Sequence, residues 1–218
     1  MKTRLLIWVT SDCNLSCVNC SQSLTMQSFQ GYQMSLQEVQ KIIDKGLRYN
    51  IIEITGGEPT KWINIVEGVK LFKTIADEVT LTTNGNNPEL VMSLGLNNYI
   101  VSSSQATKEQ ILKFAPDYHK IIFNSHKHKK LPTKPIADTL PADCCVRSTP
   151  YGEPQNNLMY IKGMVYYCCN AFNNNLIAPD SDLKCSFDAD FLKYFRYKKY
   201  DKNICSVCVC NSKVWNKI

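Results

Sequence analysis

The sequence has no long apolar run, no internal repeat and no low-complexity segment. Its first apolar run, residues 5–9, is far too short for a signal-peptide core or a membrane span, and no later run reaches membrane-spanning length. We therefore expect a cytoplasmic protein without a membrane anchor. Hydrophobic residues make up 44% of the chain and charged residues 20%, which excludes wholesale disorder. Its 218 residues suffice for one domain with a small appendage.

Histidine is scarce, and cysteine is absent from the middle of the chain. The three histidines are not spaced as a metal site, and we assign none of them a catalytic role. No cysteine occurs between Cys20 and Cys144, although the chain has 11 of them. In a reducing cytoplasm this density indicates metal or redox chemistry rather than disulfides, and an odd number cannot all pair. The gap therefore predicts two separate functional regions.

Short β-branched segments alternate with amphipathic segments over the first part of the chain. Strands are predicted at residues 4–10, 51–54, 79–82, 99–102 and 120–123, and helices at residues 36–47, 63–75, 88–94 and 108–114. A capping box, with Ser35 three residues before Glu38, starts the first of these helices. Strands that alternate with helices predict an α/β fold with a parallel sheet and right-handed crossovers.

The alternating pattern stops after residue 124. Residues 126–135 are basic and contain proline, which predicts a linker or a surface loop. Residues 158–169 predict a β-hairpin that turns near Lys162 and Gly163. Residues 182–200 predict a short, partly amphipathic helix.

The first group of cysteines follows the first predicted strand directly, in the spacing Cys13-x3-Cys17-x2-Cys20. Cysteine thiolates are the ligands of iron–sulfur clusters. Three of them can hold three irons of a four-iron cluster and leave the fourth iron open to another ligand. Taken alone, three cysteines also fit a zinc site, although structural zinc usually has four ligands.

Glycine-containing motifs follow the second and third predicted strands. These are Gly56-Gly57-Glu58-Pro59 and Thr82-Thr83-Asn84-Gly85. Two glycines leave the end of a strand without side chains, so the backbone there can approach a ligand closely. Taken alone, either segment also fits a simple turn, since Asn-Gly is a common turn dipeptide.

Together the three motifs, in this order on alternating strands and helices, resemble those of the radical S-adenosylmethionine (SAM) superfamily over about residues 1–125. The resemblance implies a core domain over residues 1–130, built as a partial (βα) barrel of about five to six parallel strands. It implies that Cys13, Cys17 and Cys20 bind a [4Fe–4S] cluster whose open iron binds SAM. The active site is then expected at the carboxyl ends of the strands.

The same resemblance implies SAM contacts for several other positions. The segment Gly56-Gly57-Glu58-Pro59 is expected to contact the amino group of SAM. Asn84, Ser102 and Ser103 are further candidates, although the two serines could instead cap the following helix. Family members often carry an aromatic residue just before the third cysteine, where this chain has Asn19. The adenine is therefore expected to pack elsewhere or to bond to Asn19.

Reductive cleavage of SAM is the chemistry that the resemblance implies. An external one-electron reductant such as flavodoxin or ferredoxin reduces the cluster, and the resulting 5′-deoxyadenosyl radical abstracts hydrogen from a substrate. The catalytic residue that exchanges a proton or a hydrogen atom with the substrate is not assigned.

The second group of cysteines resembles the twitch domain, a shortened SPASM domain in which a hairpin and a helix enclose one auxiliary [4Fe–4S] cluster. The resemblance implies a small domain over residues 131–218. The ligands it implies are Cys145 (or Cys144), Cys168, Cys205 and Cys208. Four thiolates would fill every iron, so we expect electron transfer rather than SAM binding.

Alternatives stay open for this second group. Cys169, Cys185 and Cys210 are spare or alternative ligands in the twitch interpretation. Eight cysteines could also hold two clusters, or four of them a structural zinc ion.

Charge bears on the substrate. The chain has 25 basic and 19 acidic residues, a formal charge of +6, with basic patches in residues 126–130 and 193–202. An anionic substrate or nucleic acid is one interpretation of these patches, but a solvated loop and helix face is the interpretation we favour. We expect a radical SAM enzyme that oxidises or isomerises a small-molecule or nucleotide-like substrate. The alternatives are a peptide- or nucleic-acid-modifying radical SAM enzyme and, from another class, a zinc-stabilised nucleic-acid-binding protein.

Overall fold

The computed structural model describes residues 2–17, 20, 23–102, 105–114, 121–124, 155–166 and 184–190. The chain divides into two compact units, one formed by Leu6–Lys127 and the other by Met1–Leu5 with His128–Ile218. Among the described residues, no helix is long and apolar enough to cross a membrane.

The first unit is built on a sheet whose strands alternate with helices along the chain. Its strands are β1 (Lys2–Trp8, of which residues 6–8 lie in this unit), β2 (Tyr49–Thr55), β3 (Ala76–Thr83), β4 (Asn98–Ser102) and β5 (Ile121–Asn124). They lie in the order β5-β4-β3-β2-β1, and the pairs β2–β3, β3–β4 and β4–β5 are parallel. The predicted α/β class with a mostly parallel sheet is confirmed. The predicted strands differ from the observed ones only at their ends.

Helices follow the strands as the amphipathic patterns indicate. They are α1 (Ser23–Ser28), α2 (Leu36–Asp44), α3 (Ile65–Ile75), α4 (Pro88–Ser93) and α5 (Gln105–Phe114), with a 3₁₀ turn at Pro59–Lys61. The capping box of α2 is confirmed, because the Glu38 N–H donates to Ser35 Oγ at 3.2 Å and the Ser35 N–H donates to Glu38 Oε2 at 3.0 Å. The short helix α1 was not predicted from the sequence.

The sheet of the first unit has one apolar and one polar face. Register places Ile52 beside Val79 and Ile54 beside Leu81, all four fully buried or nearly so. Side chains alternate along a strand, so Glu53 and Thr80, which also lie side by side, face the other way. Glu53 is 7% exposed and accepts a hydrogen bond from Thr82 Oγ1 at 2.7 Å. Polar groups therefore lie along the second face.

The second unit contains three antiparallel strands, β6 (Gln155–Ile161), β7 (Met164–Tyr166) and β8 (Lys184–Ser186). The predicted hairpin is confirmed over residues 158–166, and residues 167–169 lie outside the described residues. Its two turn residues, Lys162 and Gly163, have φ values of 48° and 76°, and positive φ at both positions is what a tight hairpin turn of this handedness requires.

The helix predicted over residues 182–200 is wrong where the structure describes this range. Lys184–Ser186 forms β8, and Cys185 pairs with Val165 of β7. Phe187 then packs edge-on against Tyr160, with ring centroids 5.1 Å apart. The hydrogen bonds to β7 and this ring contact decide the local structure, and neither is visible in the periodicity of the segment.

Candidate functional site

The three motifs lie in the loops that leave β1, β2 and β3. These strands are neighbours in the sheet, and β2 and β3 run parallel. We call residues 12–20 the cysteine loop, residues 56–59 the β2 loop and residues 83–85 the β3 loop. Hydrogen bonds between them, described below, show that all three meet at the carboxyl edge of the sheet.

The glycines of the β2 loop let it pack against the backbone that leads into Cys13. The Gly57 N–H donates to the Thr10 carbonyl at 2.8 Å, and the next N–H along donates to the Asp12 carbonyl at 2.7 Å. A Cβ atom on Gly57 would lie 2.4 Å from the Asp12 oxygen, and one on Gly56 would lie 2.6 Å from the Thr10 oxygen. The close approach that two glycines predict is therefore made to the chain's own backbone.

The carboxylate of Glu58 joins the β2 loop to the β3 loop. Glu58 is 1% exposed. Its Oε1 accepts hydrogen bonds from the Thr60 N–H at 3.1 Å, the Thr60 hydroxyl at 2.8 Å and the Thr83 hydroxyl at 2.7 Å. Its Oε2 accepts the Asn84 N–H at 2.7 Å. A carboxylate removed from water needs such donors to replace its hydration. The four bonds therefore stabilise the buried carboxylate and also link the β2 loop to the β3 loop.

The amide side chain of Asn84 joins the β3 loop to the cysteine loop. Its Nδ2 donates to Asn14 Oδ1 at 2.9 Å, and its Oδ1 accepts the Asn86 N–H at 3.0 Å. Gly85 completes this turn with a φ of 77°. Its own N–H donates to the Thr83 hydroxyl at 3.1 Å. The backbone at Asn84 and Gly85 thus forms the turn that the Asn-Gly dipeptide predicts. The Asn84 side chain, in addition, forms a hydrogen bond to the cysteine loop.

Cys13 and Cys20 are half-buried, and Cys17 is exposed. The Leu15 N–H donates to the Cys13 sulfur at 3.4 Å, and the Cys20 N–H donates to the Cys17 carbonyl at 3.3 Å. Within the described part of the chain, no three histidine, cysteine or acidic side chains converge as ligands of a single metal ion. A four-iron cluster makes no such demand, because each thiolate binds a different iron. The donor set therefore fits the cluster.

A further contact to the cysteine loop comes from Gln33, which sequence reasoning missed. Its Nε2 donates to Asp12 Oδ2 at 2.7 Å, and its backbone forms an antiparallel bridge with Thr10. Gln33 lies between α1 and α2, outside all three motifs. No signal in the sequence marks it, because its partner is 21 residues away along the chain.

The other predicted site residues divide into described and undescribed ones. Ser102 is half-buried at the end of β4, where it pairs with Asn124 of β5. Cys185 is half-buried in β8. Ser103, Asn19 and the predicted auxiliary ligands lie outside the described residues, the latter being Cys144, Cys145, Cys168, Cys205 and Cys208.

Residues 7–130 match the family model of the radical SAM superfamily. This match covers more than half of the chain. The chain belongs to the radical SAM superfamily. The resemblance noted in the sequence and the prediction of an enzyme are thereby confirmed, and membership implies a [4Fe–4S] cluster with SAM as its cofactors.

Curated relatives match a short part of the chain. A protein of Pyrococcus horikoshii, named probable GTP 3′,8-cyclase, is 36% identical over 87 residues, which cover 38% of this chain and 27% of that protein. A protein of Thermococcus kodakarensis with the same name is 30% identical over 86 residues, covering 38% and 28%. The chain thus matches about a quarter of the length of these relatives.

Solved structures of BtrN share the fold over nearly the whole chain. A crystal structure of BtrN in complex with AdoMet and 2-DOIA superposes with a TM-score of 0.62 and covers 96% of this chain and 93% of that one. BtrN in an open conformation gives 0.59, with 96% and 92% covered. Sequence identity is 18% in both cases, so this likeness concerns the fold alone.

Proposed function

We propose that this protein cleaves SAM reductively to a 5′-deoxyadenosyl radical, which abstracts a hydrogen atom from a small-molecule or nucleotide-like substrate. The observation that carries the proposal is the position of Glu58. Its buried carboxylate joins the β2 and β3 loops, and its backbone N–H joins them to the residue before Cys13. Three separate motifs of a SAM-cleaving family thus form one connected site.

In this proposal each loop has its own task. Cys13, Cys17 and Cys20 would hold three irons of the cluster, and the fourth iron would be open to SAM. When bound, the cluster supplies the electron that cleaves SAM, and the protein supplies position and the exclusion of water. The β2 loop, with Gly56, Gly57, Glu58 and Pro59, lies against the cysteine loop and is proposed to contact the SAM amino group. Asn84, Ser102 and Ser103 are proposed as further SAM contacts.

The electron is proposed to come from an external donor such as flavodoxin or ferredoxin. Cys17 is exposed, so the cysteine loop is accessible to such a partner. Thiols that must stay reduced to bind iron also favour a reducing cytoplasm as the place of action.

A twitch-like domain over residues 131–218, with an auxiliary [4Fe–4S] cluster, is the second part of the proposal. Its ligands are proposed to be Cys145 (or Cys144), Cys168, Cys205 and Cys208. The β6–β7 hairpin supports it, because the Gly163 turn lies five residues before Cys168 as in the resembled domain. The cluster would accept the electron left on the oxidised substrate radical.

A small polar molecule is the favoured substrate class. BtrN, whose chain this one matches over almost its full length, was crystallised with AdoMet and 2-DOIA, whereas the GTP 3′,8-cyclases match over a quarter of theirs. The polar face of the sheet, with the Glu53 carboxylate and the Thr80 and Thr82 hydroxyls, suits hydroxyl or amine groups. A nucleotide remains the second candidate because of those relatives. Family membership speaks against the zinc-stabilised nucleic-acid-binding alternative.

Anaerobic reconstitution followed by SAM turnover tests this proposal. About eight irons and eight sulfides per chain are expected for two clusters, and about four for the first cluster alone. Dithionite should then drive the release of 5′-deoxyadenosine, and the correct substrate should accelerate it. Amino polyols and GTP should be compared as accelerators. A fully loaded protein that binds no SAM would contradict the enzymatic proposal, and four irons would contradict only the auxiliary cluster.

A further inference from the structure

Gln33 uses both ends of its side-chain amide to join the cysteine loop to the chain that follows Glu58. The Nε2 group donates to the Asp12 carboxylate at 2.7 Å and, over a longer distance of 3.4 Å, to the Lys61 carbonyl. The Oε1 atom accepts the Ile63 N–H at 3.2 Å. One side chain thus connects three segments that are far apart in sequence.

The backbone of Gln33 is itself fixed. Its two neighbours bond to residues that follow β1, since the Ser11 N–H donates to the Tyr32 carbonyl at 3.0 Å and the Met34 N–H donates to the Val9 carbonyl at 2.8 Å. The Met34 carbonyl accepts the indole N–H of Trp62 at 2.7 Å, and Trp62 is 1% exposed. The backbone that carries the Gln33 side chain is therefore fixed by hydrogen bonds on both sides.

Cys13 lies between two residues that other loops hold. On one side, Asp12 is bonded through its carboxylate to Gln33, while its N–H donates to Thr10 Oγ1 at 3.0 Å. On the other side, Asn14 accepts the amide of Asn84 at 2.9 Å. Hydrogen bonds from Gln33 and Asn84, which lie in different parts of the chain, thus hold the residues on either side of Cys13.

We propose that Gln33 is a positioning residue for the cluster ligand Cys13 and acts through Asp12. This inference rests on the proposed function, because it assumes a cluster on the three cysteines. Mutating a group that orients a metal ligand typically costs about 10- to 100-fold in metal affinity or activity. The bond from Gln33 also fixes the negative charge of Asp12 beside a ligand of an anionic cluster, whose potential responds to such charges and to N–H···S bonds.

The test compares Gln33→Ala, Gln33→Glu and the double variant Asp12→Asn/Gln33→Glu, each reconstituted anaerobically. Gln33→Ala should weaken SAM binding about tenfold and shift the electron paramagnetic resonance signal of the reduced cluster. Gln33→Glu should weaken binding more, because two carboxylates then meet at hydrogen-bond distance. In the double variant the amide and the carboxylate exchange places, which restores a hydrogen bond between the two side chains, so SAM affinity should return close to that of the wild type.

Gln40→Ala is the matched control. Gln40 donates to Asp44 at 2.7 Å, an equally short Gln–Asp bond on the exposed surface of α2. Its loss should leave SAM affinity and the cluster signal unchanged.

Two results would overturn the inference while leaving the proposed function intact. One is a wild-type protein that binds cluster and SAM alongside Gln33 variants with the same affinity and signal. The other is a double variant as impaired as Gln33→Glu alone, which would deny that the pair acts as a unit. If the wild type holds no four-iron cluster, the proposed function fails and the inference fails with it.

Discussion

Two carboxylates join β2 and β3 at opposite edges of the sheet. Glu58, at the carboxyl edge, is 1% exposed and accepts four hydrogen bonds from three residues. Asp77, at the amino edge, has a side chain that is 50% exposed and accepts bonds from Arg48 Nε at 2.8 Å and Asn50 Nδ2 at 3.1 Å. The same chemical group is thus buried where the motif loops meet and solvated where they do not.

This difference in burial indicates which positions tolerate substitution. An exposed ion pair is screened by water and contributes little, so the amino edge tolerates change. A buried carboxylate with four donors cannot be removed without leaving those donors unpaired. We therefore expect mutations at the carboxyl edge to affect folding and chemistry together, and mutations at the amino edge to affect neither much.

The largest effect is expected from the cysteines of the carboxyl edge. Replacing Cys13, Cys17 and Cys20 together with Ala removes every thiolate of the first site, and about four irons per chain should be lost. Iron and sulfide analysis after anaerobic reconstitution measures this loss. Cys185→Ala serves as the control and should keep the full iron content, since Cys185 is a spare residue in the proposed ligand set. Unchanged iron in the triple variant would place the cluster elsewhere.

Glu58→Ala should have the second largest effect. It leaves the Thr83 hydroxyl, the Asn84 N–H and the Thr60 donors without their acceptor, at a cost of about 3 kcal/mol in the free energy of unfolding. Urea unfolding of the apoprotein measures it. SAM affinity should fall as well, because the β2 and β3 loops lose their connection. A stability within about 0.5 kcal/mol of the wild type would show that the carboxylate is not a structural link.

Gly57→Ala tests whether the β2 loop must pack closely against the backbone before Cys13. Its Cβ would lie 2.4 Å from the Asp12 carbonyl oxygen, so the loops must separate, and we expect a loss of about 2 kcal/mol together with weaker SAM binding. Gly46→Ala is the matched control, because Gly46 has a φ of 64° but nothing within 4 Å of its Cβ position. It should cost about 1 kcal/mol through backbone strain and leave SAM binding intact. Equal SAM affinities in the two variants would contradict the steric explanation.

Asp77→Asn, at the amino edge, is expected to have the smallest effect of these substitutions. The exposed pair with Arg48 should contribute less than about 0.5 kcal/mol, and that little should disappear at high salt. Thermal unfolding at two salt concentrations measures it, with SAM cleavage expected at the wild-type rate. A loss as large as that of Glu58→Ala would remove the distinction between the two edges.

The sequence predicts the skeleton of the first unit well because its signals are local. β-branched runs that end in glycine mark β2 and β3, and the Ser35–Glu38 capping box marks the start of α2. Motif order likewise predicts which loops meet. It does not predict the hydrogen bonds by which the Glu58 carboxylate and the Asn84 amide join these loops.

Other features depend on contacts between distant residues and escape a sequence pattern. Gln33 belongs to no motif, and its hydrogen bond to Asp12 joins residues 21 positions apart. Residues 184–186 read as helical by periodicity but form β8, because β7 offers a free edge with which they pair. The sequence therefore predicts which loops meet, and tertiary contacts show which side chains join them.

The most direct test of the central claim is the response of the reduced cluster to SAM. If Cys13, Cys17 and Cys20 hold a cluster with one open iron beside the β2 and β3 loops, adding SAM should change the electron paramagnetic resonance signal of the wild-type protein. The triple alanine variant, which lacks this cluster, should show no SAM-dependent change. A wild-type protein with its first cluster fully loaded and a signal that SAM leaves unaltered would contradict the account.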